Sequence, residues 1–208
     1  MSHFNSFANS LEEIVQASKK QPIPIKAILE KLDRSGFSLI TLALVLPFMQ
    51  PFPVGPISVL GGMTFILVGL QMWKGQSQPT LPNKILNIEL SFKIWNTIAK
   101  AFFTIIKWSN KISRSRLSVF SPSQKKVGSI LVVGGILMAI PFGILPFNNF
   151  FPGLAILFAS LAQFEKDGLF ILIAWFWLIF SMLYFSTFFI GIYWLGFQGI
   201  QSIMSWVL

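Results

Sequence analysis

The 208-residue sequence predicts an all-α integral membrane protein. Three observations carry this. Only 11% of the residues are charged and 54% are hydrophobic, against about 25% charged in an ordinary soluble domain. Charge is absent from residues 35–73, 127–164 and 168–208, and each stretch is long enough for two helical crossings of about 20 residues. These stretches also lack the alternation of a lipid-facing strand. Backbone in lipid must satisfy its own hydrogen bonds, so helices are the default. The composition excludes a disordered chain and a typical soluble enzyme. No Cys is present and His3 is the sole His, which removes disulfides, thiolate nucleophiles and the common His/Cys metal sites.

Residues 1–34 are polar and read as N-terminal cytoplasmic amphipathic helices. Ser10 with Glu13 resembles a capping box. Pro24 suits the first turn of a second helix that Gly36 would cap. No basic region runs directly into an apolar segment with a small-residue cleavage site, so no signal peptide is expected.

Residues 35–73 form the first membrane hairpin. Pro47, Pro51, Pro53, Gly55 and Pro56 crowd its centre. Each proline removes a donor and clashes with the preceding turn, so several together end a helix. Residues 127–164 form the second hairpin, broken by Pro141, Pro146 and Pro152. The outer arms, 35–46 and 153–164, reach only about 18 Å against a hydrocarbon core of about 30 Å. Re-entrant hairpins follow, with their broken tips facing each other or a polar cleft. Two ordinary helices joined by a proline-rich loop are the alternative. A loose internal repeat joins the hairpins: Gly61 to Gln71 has the spacing of Gly153 to Gln163, and Pro47-Phe48 corresponds to Pro141-Phe142.

Residues 74–126 are a basic cytoplasmic segment. Lys93, Lys100, Lys107 and Arg114 recur every seven residues opposite an apolar face that includes Phe92, Trp95, Ala99 and Phe102. This is the pattern of an interfacial amphipathic helix with lysines towards anionic lipid; a helix covering the base of the bundle fits it too. Residues 168–208 form a C-terminal helical hairpin turning near 187–191, where Gly191, Gly196 and Gly199 permit close contact. All sixteen basic residues fall on one side if every block returns to it. By the positive-inside rule both termini are then cytoplasmic.

The candidate contacts are the polar groups of the uncharged blocks. Gln71, Asn148, Asn149 and Gln163 are candidates for a cleft or ligand, and Arg34 could face a phosphate from the cytoplasmic side. Freed N–H groups where helices restart would attract an anion. Capping and interhelical bonding are the competing reading for each amide. The prolines and Gly55 shape the hairpins, and Asp167 suits the N-cap of the helix that follows. No catalytic, metal or cofactor site is expected.

Residues 34–82, with Gln71, Gly75, Pro79, Leu81 and Pro82, and residues 141–172, with Glu165, Lys166, Asp167 and Gly168, resemble the bacterial exopolysaccharide-synthesis family typified by ExoD. Thr80 stands where that family usually has Trp. The resemblance implies a membrane-embedded protein of the bacterial inner membrane, linked to exopolysaccharide production. Neither a Walker A motif nor a dinucleotide fingerprint is visible, so the expected role is an accessory factor in polysaccharide assembly or export, not an enzyme. A transporter or scramblase of an anionic lipid such as a polyprenyl phosphate, and a structural adaptor without a site, remain as alternatives. Expected partners are membrane lipids, anionic ones among them, the exopolysaccharide machinery and further copies of the chain; nucleic acid is not expected.

Overall fold

A computed structural model describes residues 2–29, 36–49, 55–76, 79–80, 83–112, 122–141 and 145–207. The fold is an all-α bundle, with one minimal strand pair. Helix α1 (Ser2–Ala17) buries Leu11 and Ile14. It starts well before Ser10, so the expected capping box lies inside the helix. Pro24 belongs to β1 (Ile23–Pro24), which precedes the single-turn α2 (Lys26–Leu29). Gly36 opens α3 (Gly36–Val45) instead of closing a helix, and α3 tightens into a 3-10 turn over Leu46–Phe48. Then come α4 (Pro56–Trp73), the short α5 (Asn83–Leu86) and β2 (Glu89–Leu90), whose residues pair antiparallel with β1. The remaining helices are α6 (Phe92–Ile112), α7 (Gln124–Ala139), α8 (Phe150–Glu165) and α9 (Gly168–Val207).

The closest helix pair is α4 with α7. Gly62 opposes Gly135 and Gly69 opposes Gly128. The seven-residue spacing on each helix puts both glycines on one face, and the falling numbers on α7 make the pair antiparallel. A methyl group on Gly62 would sit 2.5 Å from the Gly135 carbonyl oxygen and 2.6 Å from the Ala139 nitrogen. Only glycine allows that approach, the means by which helices associate where burial from water gives no driving force. A second antiparallel seam joins α3 to α8. There Thr41 Oγ1 and Ser160 Oγ lie 2.6 Å apart, fully buried. One hydroxyl donates across the seam, and the other donates to its own helix, at Phe37 O or Ile156 O.

The two hairpins are thus interleaved. The second arm of the first lies on the first arm of the second, and the outer arms, α3 and α8, lie on each other. Exchanging the hairpins exchanges α3 with α7 and α4 with α8, and leaves both seams in place. At the charged end Trp73 Nε1 donates to Lys125 O and Ser129 Oγ, both at 3.1 Å.

Two larger expectations are also corrected. The C-terminal segment is one continuous helix, not a hairpin. Isolated glycines cost a helix only about 1 kcal/mol each, and neither proline nor polar loop interrupts 168–207. The apolar face of α6 is not the lipid-facing surface of an interfacial helix. Trp95, Ala99 and Phe102 are buried in the protein, with α1 packed alongside and Trp95 Nε1 donating to Ile23 O at 3.1 Å. The helix also starts at Phe92, because β2 occupies part of the expected span.

α4 and the Gly168–Gln198 part of α9 are long and apolar enough to cross a membrane by length and composition. On α4, Ile57, Leu60, Met63, Leu67 and Leu70 are exposed on the side away from the glycine seam.

Candidate functional site

Backbone geometry forces each tip. In the first, Pro47 lies within the 3-10 turn and Pro56 opens α4. Gly55 has φ +63° and ψ −140°, a conformation restricted to glycine, and its missing side chain would meet nothing within 4 Å. Ser58 closes the start of α4 by donating through Oγ to Gly55 O at 2.6 Å. Phe48 folds back over Gly61 and meets Phe65 edge-on at 6.2 Å.

In the second tip Ile140 is extended, as expected of a residue before proline, and α7 ends there ahead of Pro141. Phe147 takes the left-handed conformation at φ 58°. Its carbonyl accepts the N–H groups of Phe150 at 3.1 Å and Phe151 at 3.3 Å. Aromatic packing holds this unusual backbone. The Phe147 ring stacks on Phe151 at 5.5 Å, and Phe151 lies against Trp177, Phe180 and Tyr184 of α9. Tyr184 OH donates to Pro146 O at 2.7 Å and pins the tip to α9.

The tips touch. A side chain on Gly153, in the first turn of α8 beside Pro152, would lie 2.7 Å from Met49 Cε and 3.9 Å from Phe48 O. Asn148 and Asn149 are buried next to this contact. Asn149 is 1% exposed, and neither its amide nitrogen nor its amide oxygen has a hydrogen-bond partner among the described residues. Its backbone carbonyl accepts the Gly153 N–H at 2.9 Å, so the residue starts α8 while its side chain takes no part in capping. A buried, unpaired amide costs about 1–3 kcal/mol.

The structure does not bring the glutamines to this place. Gln71 and Gln163 stand near the charged ends of α4 and α8, about 20 Å along each helix from the tips. Gln71 clamps the loop beyond α4. Its amide donates to Thr80 O and accepts from Thr80 N, both at 2.6 Å. The clamp uses only the backbone of Thr80, so the departure from Trp at this position leaves it intact. Gln163 Oε1 is buried without a hydrogen-bond partner among the described residues. Asp167 is buried at the start of α9, and its Oδ1 accepts the Leu169 N–H at 2.9 Å. Arg34, Pro51 and Pro53 lie outside the described residues.

The anion site expected at the restarted helices is reduced by these bonds. Phe150 and Phe151 already donate to Phe147, Pro56 and Pro152 have no N–H, and Ser58 N donates to Gly55 O. What the second tip offers is a neutral carboxamide, a donor and an acceptor side by side. Among the described residues no group of three His, Cys, Asp or Glu comes together in a way that could hold a metal.

Sequence reasoning passed over Tyr184, Met49, and the Gly128 and Gly135 half of the seam. The glycines had a signal, since both pairs are spaced by seven. Tyr184 and Met49 had none, because their partners are backbone groups and a glycine distant in sequence.

The profile described as "Exopolysaccharide synthesis, ExoD" matches residues 7–187. Protein ExoD of Rhizobium meliloti (strain 1021) is 27% identical over 186 residues, covering 88% of this chain and 77% of that protein. No solved structure matches the chain significantly. With the match running from α1 into α9 and taking in both hairpins and both tips, the chain belongs to the ExoD exopolysaccharide-synthesis family.

Proposed function

We propose that this chain is a membrane-embedded, non-catalytic accessory factor in exopolysaccharide assembly or export, and that the apposed tips are the part that meets its ligand or partner. Family membership supports the process. The membrane placement draws on the apolar outer faces of α4 and α9 and on the charge that collects at one end of the interleaved hairpins. In this reading the hairpins are re-entrant from the cytoplasmic side of the inner membrane, with Lys74, Lys125 and Lys166 at that face.

The observation that carries the site is the Asn149 carboxamide, buried and unpaired among the described residues. A structural amide at a helix start would cap it; this one does not, and it lies where two broken helices meet. Its paired donor and acceptor suit a hydroxyl or an amide, the groups that a saccharide or a partner polypeptide presents. Transport of an anionic lipid drew on free N–H groups, and those of Phe150 and Phe151 are engaged.

Asn149→Leu separates function from structure. Leucine removes the unsatisfied amide, so folded yield and thermal stability should hold or rise. Exopolysaccharide output in cells lacking the native copy should fall by about tenfold, the effect of losing about 1.4 kcal/mol of recognition. Full output from a well-folded Asn149→Leu protein would remove the tips from the function.

A further inference from the structure

Helix α9 starts at the charged end and runs back along α8 as far as the tips. Phe170 lies on Phe158, Trp177 on Phe151, and Tyr184 OH on Pro146 O. From Gly168 to Tyr184 this is about 24 Å at 1.5 Å per residue. The helix then continues about 35 Å beyond the tips to Val207. Between Ile190 and Gln198 the described residues leave it bare. Ile190 is 68% exposed, Tyr193 75% and Leu195 64%, and every residue from 192 to 198 is exposed. Successive residues turn by about 100°, so the whole circumference is open. Nothing lies within 4 Å of where side chains at Gly191 and Gly196 would begin. Residues 168–208 carry no charged side chain.

An isolated helix that is apolar on every side belongs in hydrocarbon. Its aromatic residues give the level. Trp175 and Trp194 are separated by about 29 Å along the axis, close to the thickness of the core and in keeping with aromatic residues at both interfaces. Tyr184, and with it the tips, then falls midway. The next polar residues, Gln198, Gln201, Ser202 and Ser205, follow at the far interface.

We infer that α9 alone crosses the full bilayer: the interleaved hairpins enter only the near leaflet, acyl chains of the far leaflet surround α9 from about residue 190, and the C-terminus emerges opposite the charged end. This rests on the membrane placement proposed above and replaces the expectation of two termini on one side. The positive-inside rule does not oppose it, because residues 167–208 carry no Lys or Arg.

The chain has no native cysteine, so single replacements report cleanly. In intact bacterial cells, a membrane-impermeant maleimide should label Ser205→Cys but not Lys74→Cys; after permeabilisation it should label both. Protection of Ser205→Cys until permeabilisation, or under both conditions, would overturn the single crossing. If both cysteines label in intact cells, or if neither partitions with membranes, the underlying membrane placement has failed instead. Spin labels at Ile190→Cys, Tyr193→Cys and Leu195→Cys in liposomes should all show the oxygen accessibility of lipid, falling smoothly from Ile190 towards the interface at Trp194, as for lipid on all sides. Shielding of one of the three would show a second polypeptide on this surface and refute the sheath of lipid.

Discussion

Alanine in place of Gly62 tests whether the α4–α7 seam holds the bundle together. The added methyl would stand 2.5 Å from Gly135 O and 2.6 Å from Ala139 N. Both are backbone atoms, so no rotamer change relieves the clash, and the helices must separate by about 1 Å to restore ordinary contact of about 3.5 Å. That separation also loosens Gly69 against Gly128. Overpacking of a tight core costs about 1–3 kcal/mol, and a clash with backbone belongs at the upper end. Against it, Ala gains up to about 1 kcal/mol of helix propensity over Gly. The net is about 2 kcal/mol of destabilisation, or about 4–8 °C in Tm for a chain of this size. Gly191→Ala is the internal control: nothing lies within 4 Å, so only the propensity gain remains and Tm should hold or rise. Thermal unfolding in a mild detergent, followed by circular dichroism, measures both. A Gly62→Ala protein that melts within a degree of the parent would refute the seam as the source of cohesion.

Two further outcomes follow from bonds already described. The Thr41–Ser160 bond should couple α3 to α8, so Thr41→Val, Ser160→Ala and the double variant should show a coupling of about 1 kcal/mol in a double-mutant cycle; strictly additive losses would mean that each hydroxyl serves only its own helix. Gln71→Leu should release the loop beyond α4 from Thr80, raising its rate of proteolytic cleavage severalfold while leaving Tm nearly unchanged; an unchanged cleavage rate would mean that the clamp does not hold the loop.

Much of this fold was visible in the residues, and the misses have physical causes. Pro47 and Pro141 mark the places where helices stop, because a missing N–H and a fixed φ act locally. The charge-free blocks mark the arms for the same reason: each residue brings its own solvation cost. What failed depended on partners. The apolar face of α6 is written in the sequence, but a period cannot say whether lipid or another helix covers it, and α1 does. The uncharged block 168–208 is long enough for two crossings and so suggested a hairpin, yet turning requires a loop that leaves the ladder, and continuing the helix is cheaper. Gln71 and Gln163 match in the repeat, but Gln71 is bound to the backbone of Thr80, which any residue supplies. At the tips, Asn148 and Asn149 were legible as polar groups in an apolar stretch. Their burial was not, because it depends on Phe147 turning left-handed under a ring cluster recruited from α9.

The interleaving of the hairpins sets an order of events at the ribosome. Gly62 and Gly69 are made early, and the surface they fit is carried by Gly128 and Gly135. At about 5–20 residues per second, synthesis from Gly69 to Gly135 takes about 3–13 s. For that interval the first hairpin holds a bare backbone groove and an unclosed polar seam, since Thr41 also waits for Ser160. The long basic segment between the hairpins is therefore a delay as well as a tether. Shortening it would bring the halves together sooner, whereas a stall within it would leave the first hairpin open to pairing with the second hairpin of a neighbouring chain, giving a dimer by exchange.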